Sequence, residues 1–270
     1  MPVIVSSTWA IQKIFTCDIF DLKTGEVKAN LQNVKTSGIE NQGTTVYADG
    51  GDGNPHIIGF DHSRRATATI ESGVFSTDIL AIQSGNAVVT GANQKAIKRD
   101  ELTVAALTAT TTFLPNGVAG SEIGFVKILN ADGSFGKTYT QAAVAAANKF
   151  SVALTTIATI TFFAGDIIAG SRIVCYYTTT TGVNTKTIKV DTDKFAGNYK
   201  VVFTGLARDI CNGDDYKCEV IFFKAKVDNN WSMSTTAGGD PAVQSMKIEA
   251  LKACGSPALY EMIVYSELDV

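Results

Sequence analysis

A chain of 270 residues that is 45% apolar can bury one large core or two smaller ones, which argues against a disordered protein. Only 18% of the residues are charged and the formal net charge is −3, with no basic stripe, so tight binding to a phosphate backbone is not expected. No apolar run is long enough for a membrane-spanning helix. The first seven residues, Met1 to Ser7, lack a basic region followed by an apolar stretch and do not read as a secretory signal. Five cysteines, an odd number, fit buried thiols in a reducing compartment. A bridge between Cys211 and Cys218 across the turn at 212–215 stays open. The expectation is a product made and assembled in the cytoplasm.

Strand signals dominate from the start. Residues 13–22 and 26–34 flank a turn at Thr24-Gly25 and read as a hairpin. Residues 40–55 hold Gly43 and the cluster 49–54, and read as a long loop or the tip of a second hairpin. Extended structure resumes over 57–70. One helix is predicted over residues 77–84. Ser76 caps it, Asp78 lies in its first turn, Phe75 and Leu80 form a staple, and Gly85 stops it. Composition changes near Leu102, and from there to about Val190 the chain has few acids and much Thr, Ala, Val and Ile. Short strands are predicted at 102–112, 124–129, 150–153, 157–163 and 173–177. The last third holds longer strands at 199–208, 216–227, 231–237, 244–251 and 259–265, with a turn at 238–241. The fold class read from this pattern is mainly β. Two packed antiparallel sheets with one short flanking helix span 1–101 and 191–270, and a small Ig-like β-sandwich module is inserted at 102–190.

Chemical motifs are sparse. Residues 131–138 nearly spell a phosphate-binding loop, with Lys137 and Thr138 in the final positions, and the alanine-rich stretch 141–148 could be the helix after it. Ala131 replaces the first glycine, however, and the surrounding hairpin signals favour a turn at Asp132-Gly133. Asp49, Asp52 and Asn54 suggest oxygen ligands for calcium, but their spacing is not that of a calcium loop and turn residues are the better reading. His56 and His62 lack a ligand set. Phe222, Phe223, Trp231, Tyr260 and Tyr265 could stack a sugar or base, although aromatics on strands are more often core. No nucleophile, base and orienting group stand together, so no enzyme, cofactor or metal is expected.

Three segments, 57–85, 128–166 and 224–251, resemble bacteriophage tail-tube (major tail) proteins, the last through its stretch Trp231 to Pro241. The Cys211–Cys218 turn and Cys254 are not features of that family. The resemblance implies subunits that form homo-hexameric rings, stacked into a hollow virion tube through which double-stranded DNA passes to the host. It also implies contact with other phage tail proteins, and no membrane partner. Thr44, Thr45, Val46, Tyr47, Asp49 and Asp52, within 40–55, are the candidate ring-to-ring contact. The competing expectation is a capsid decoration protein or an adhesin-type β-sandwich that uses residues 102–190 to hold a glycan or a partner.

Overall fold

The computed structural model describes residues 8–211, 213–233, 237–239 and 242–266, the side chains of 12–14 excepted. In chain order come β1 (Trp9–Asp21), β2 (Val27–Leu31), β3 (Val34–Asp49), β4 (His56–Ser72) and α1 (Thr77–Ser84). Next are β5 (Val89–Thr90), β6 (Lys95–Thr103), β7 (Thr108–Thr110), β8 (Phe125–Leu129), β9 (Phe135–Gln141) and β10 (Lys149–Leu154). Then follow β11 (Ala158–Phe162), β12 (Arg172–Thr180), β13 (Lys186–Thr187), β14 (Asn198–Asp209), β15 (Asp215–Val227), β16 (Gln244–Ala250) and β17 (Glu261–Tyr265). The chain is thus mainly β, a sandwich or barrel with one helix among the described residues. It divides into two compact units, Met1–Val88 with Ile188–Val270, and Val89–Thr187.

The first unit is a single antiparallel sheet in the order β2-β1-β14-β15-β16-β4-β3. β15 is long enough to hold two partners on one edge. Lys217 to Ile221 take β17, and Ala225 to Val227 take β16. The ends of the sheet curl toward each other, and the Phe15 amide on β1 donates to Ser37 Oγ on β3 at 3.4 Å. β1 turns into β2 because the Asp21 carboxylate accepts from the amides of Lys23 and Thr24, at 2.8 and 3.0 Å. Along β15 the inward positions run Tyr216, Cys218, Val220, Phe222 and then shift to Ala225 and Val227. An extra residue in β15, a bulge opposite Lys200, produces that shift of phase. The enclosed core holds Ile19, Ile70, Phe203, Phe222, Met246 and Ile248, with the Phe203 and Phe222 rings edge to face at 5.2 Å.

The helix falls on the predicted residues and for the predicted reason. Ser76 Oγ accepts from the Ile79 amide, and Gly85 ends the helix at φ 70°. A Cβ on Gly85 would lie 2.3 Å from the Phe195 carbonyl oxygen, so no other residue fits there. Eight residues are too few to hold a helix by propensity. Ile79 and Ile82 are buried in the core, the Ser76 amide donates to Gln244 Oε1, and Gln83 Nε2 donates to the Ser245 carbonyl.

The second unit holds a seven-stranded sheet in the order β6-β12-β8-β9-β10-β11-β7, antiparallel except for the short β9–β10 pair, and the separate antiparallel pair β5–β13. Its core is formed by Val126, Tyr139, Phe150, Ile160, Phe162, Ile173, Cys175 and Tyr177. The composition change at Leu102 falls inside β6. The strand predicted at 102–112 is two strands, because the chain turns at 104–107 with Ala106 in a left-handed conformation, φ 57°. The near phosphate loop is a hairpin turn between β8 and β9, closed by Gly133 at φ 83°. The alanine-rich stretch 141–148 is not helical. In the last third, β15 and β16 pair directly, and Trp231 to Met233 are irregular rather than strand. Residues 234–236, and Asp240 and Pro241 of the predicted turn, lie outside the described residues.

Candidate assembly surface

Residues 40–55 form no long loop. β3 runs to Asp49 and β4 begins at His56, so only 50–55 turn the chain. The reading of these residues as the tip of a second hairpin is the one the structure follows. Burial divides the hairpin in two. Ala66, Ala68 and Ile70 of β4 are buried and hold the base in the core, whereas every residue from Asn41 to Arg65 is exposed except half-buried Gly50. A register irregularity between Gln42 and Thr44, with Ser63 opposite at φ 54°, marks the change. Beyond it the ribbon runs from Thr44 to Asp49 and back, roughly 20 Å at about 3.4 Å per residue.

The register sorts the side chains of this ribbon. Thr44 faces His62, Val46 faces Phe60 and Ala48 faces Ile58, so these six share one side. Thr45 faces Asp61 and Tyr47 faces Gly59 on the other. The first side carries an apolar stripe, with Val46 54%, Ile58 52% and Phe60 60% exposed. The second side is tied by polar contacts. Thr45 Oγ1 donates to Asp61 Oδ1 at 2.6 Å, His56 Nδ1 meets the Asp49 carboxylate, and the Tyr47 and His56 rings stack at 4.4 Å. Gly59 leaves room for this, since a Cβ there would sit 3.1 Å from both Tyr47 and Thr45 side-chain carbons. His62 Nδ1 contacts the Thr44 carbonyl at 2.8 Å. Each histidine is therefore engaged by its cross-strand partner on β3, His56 by Asp49 and His62 by Thr44. Asp49 is engaged by His56, and Asp52 stands apart in the turn.

Of the six residues named from sequence, five lie on β3 and share the ribbon, and Asp52 caps its tip. The sequence reading missed Ile58 and Phe60, whose alternation in 57–62 was the available signal. Elsewhere, Phe222 is fully buried and packs against Tyr260 at 5.8 Å, while Tyr265 Oη donates to Glu219 at 2.7 Å. Those aromatics form no common platform. Lys137, the would-be phosphate lysine, is bound to Asp166 at 3.1 Å. Among the described residues no cluster of three or more His, Cys, Asp or Glu could hold a metal ion.

A two-stranded ribbon is marginal by itself in water. One whose apolar side faces solvent, on a chain with so little charge, is a candidate contact surface. A protein-family model described as the YomU/Tube protein family matches residues 9–260. No curated protein matches the chain.

Proposed function

The chain belongs to the YomU/Tube protein family, and from that premise we propose that it is a structural subunit of a phage tail tube, assembled in the host cytoplasm and carried in the virion. Copies join into homo-hexameric rings, the rings stack, and the lumen conducts double-stranded DNA. Other tail proteins begin and end the polymer. The reading requires no catalysis and no cofactor. Among the described residues no helix is long and apolar enough to cross a membrane.

The observation that carries this reading is the β3–β4 ribbon with its uncovered apolar stripe of Val46, Ile58 and Phe60. In an assembly the stripe would lie on a neighbouring copy. β2 and β3 end the sheet of the first unit, so each has an edge on which a neighbouring strand can pair. A contact between unlike surfaces that does not close on itself yields a filament. The second unit would decorate the outside of the tube.

The test is negative-stain microscopy and sedimentation across a concentration series, with tail initiation proteins present and absent. Hollow rods are expected from the native chain. Val46→Ser with Phe60→Ser should leave discrete particles with unchanged circular dichroism. Rods from that double variant would overturn the ribbon assignment, and discrete native particles under every condition would overturn the conduit.

A further inference from the structure

We infer that the solvent face of the second unit, across β6, β12, β8 and β9, is a binding site for an anionic polysaccharide, with Lys127 meeting a sugar carboxylate or phosphate and Phe125 and Phe135 meeting the sugar rings. The site does not depend on tube formation.

The four strands lie side by side, and their register gathers the site. Tyr176 on β12 pairs with Arg99 on β6, and Cys175 pairs with Val126 on β8, which brings Phe125 next to Tyr176. The two rings are 6.2 Å apart. The Lys127 ammonium lies 5.9 Å from the Phe125 ring and 5.5 Å from that of Phe135 on β9. Val126, Ile173, Cys175 and Tyr177 point the other way, into the core. The strip therefore crosses the solvent side of four strands, roughly 14 Å at about 4.8 Å per strand spacing.

Two features set it apart from an ordinary solvated sheet face. Phe125 is 41% and Phe135 50% exposed, on a face where folding asks for polar residues. The charges on the strip are also unequal in their freedom. Arg99 and Arg172 both grip Glu101, at 2.5 and 2.8 Å, and Arg99 Nε donates to Tyr176 Oη at 3.2 Å. Among the described residues no carboxylate pairs with Lys127. One free ammonium thus stands between two aromatic faces, with a fixed row of guanidinium and phenol groups beside it. The surrounding unit carries eight Lys and Arg against five Asp and Glu, in a chain that carries 23 against 26. That balance favours an anionic ligand.

The chemistry that fits is a ring with apolar faces, a hydroxylated rim and an isolated negative group. The ring faces lie on the phenylalanines, the anion on Lys127, and the hydroxyls on the Arg99–Glu101–Arg172 row. A single-stranded nucleic acid fits less well. A phosphate chain is tracked by closely spaced free cations, whereas on this face Lys95, opposite Thr180, lies far along the strands from Lys127, opposite Val174.

The test is calorimetric titration of the full chain with oligogalacturonate and with a phosphorylated mannan. Methyl-esterified and dephosphorylated forms serve as neutral controls. Saturable binding to at least one anionic polymer is expected. Phe135→Ala should weaken it at least tenfold. Lys127→Met keeps the apolar stem and should abolish the preference for the charged form. Phe125→Ala provides a second aromatic probe, and thermal melting checks that each variant is folded. Failure of both anionic polymers to bind, or binding unaltered in folded variants, would overturn the site. So would tighter binding of a single-stranded oligonucleotide that the same variants remove, or variants that change self-association alone.

Discussion

Tyr177 in the second unit ties three segments together through one phenol. Its hydroxyl donates to Asp100 Oδ2 at 2.6 Å and accepts from the Phe113 amide at 3.0 Å, while the Thr112 amide donates to the same carboxylate oxygen at 2.7 Å. Burial first, and the bond to Asp100 second, push the phenol up to about 12. An ordinary tyrosine titrates near pH ~10, so the fold favours the neutral form. Its stabilisation is complete below that pH and is lost as pH rises toward the raised value. Tyr177→Phe should cost about 2 kcal/mol, because a buried carboxylate loses a donor. The melting temperature of the variant should fall at neutral pH, and its gap from the native protein should narrow above pH ~10. An equal gap at every pH would show that packing, not the bond, is lost. The cysteines divide as sharply. Cys17, Cys175 and Cys218 are buried, and burial raises all three thiols, Cys175 to about 12. Cys211 and Cys254 are exposed and free, so the bridge from Cys211 to Cys218 does not form. A disulfide-exchange reagent at pH ~8 should modify two thiols at once and three only in denaturant. Fewer than two fast thiols would reveal a bridge.

At the scale of elements, the β3–β4 hairpin divides into a base held in the core and an exposed ribbon, the part proposed to carry assembly. No core residue lies beyond Ser63 on β4 or Gly43 on β3. Removing Thr44 to His62 together, and joining Gly43 to Ser63 through Asn-Gly, should change stability by no more than about 0.5 kcal/mol while preventing self-association. Removing Thr44 to Gly53 alone would also prevent it, but would strand 54–62 without a partner and lower solubility. A loss of several degrees in melting temperature from the symmetric deletion would place the ribbon in the fold after all. The same hairpin shows what local sequence can carry. α1 was legible to the residue, since its cap, first-turn acid and terminal glycine are all local. The hairpin of β1 and β2 was legible because Asp21, Thr24 and Gly25 write their own turn. The extension of β3 through 40–49 was not, because Gly43 and a glycine-rich tip suggested a loop. Only the pairing with 56–65, which is non-local, makes those residues strand. Phe125, Phe135 and Tyr176 were missed for a related reason. They are distant in sequence and meet through register, which no single segment discloses.

For the whole molecule, composition decides what kind of force can hold copies together. The chain has a net charge of −3 and few charges of either sign, and the ribbon offers Val46, Ile57, Ile58 and Phe60 to solvent. Ion pairs between exposed groups contribute at most about 1 kcal/mol each and are screened by salt. Apolar burial is non-directional, insensitive to screening, and weakens on cooling. Self-association through the ribbon should therefore persist in 1 M sodium chloride, where the screening length is about 3 Å, and should recede between 25 °C and 4 °C. Sedimentation velocity at about 0.15 M and about 1 M sodium chloride, at both temperatures, reads this directly. Val46→Ser with Phe60→Ser should remove the temperature dependence along with the association. The opposite pattern, particles that dissolve in salt and survive cooling, would assign assembly to charge. It would then direct attention to the second unit, whose excess of Lys and Arg is the part of the chain able to attract the acidic remainder of a neighbouring copy.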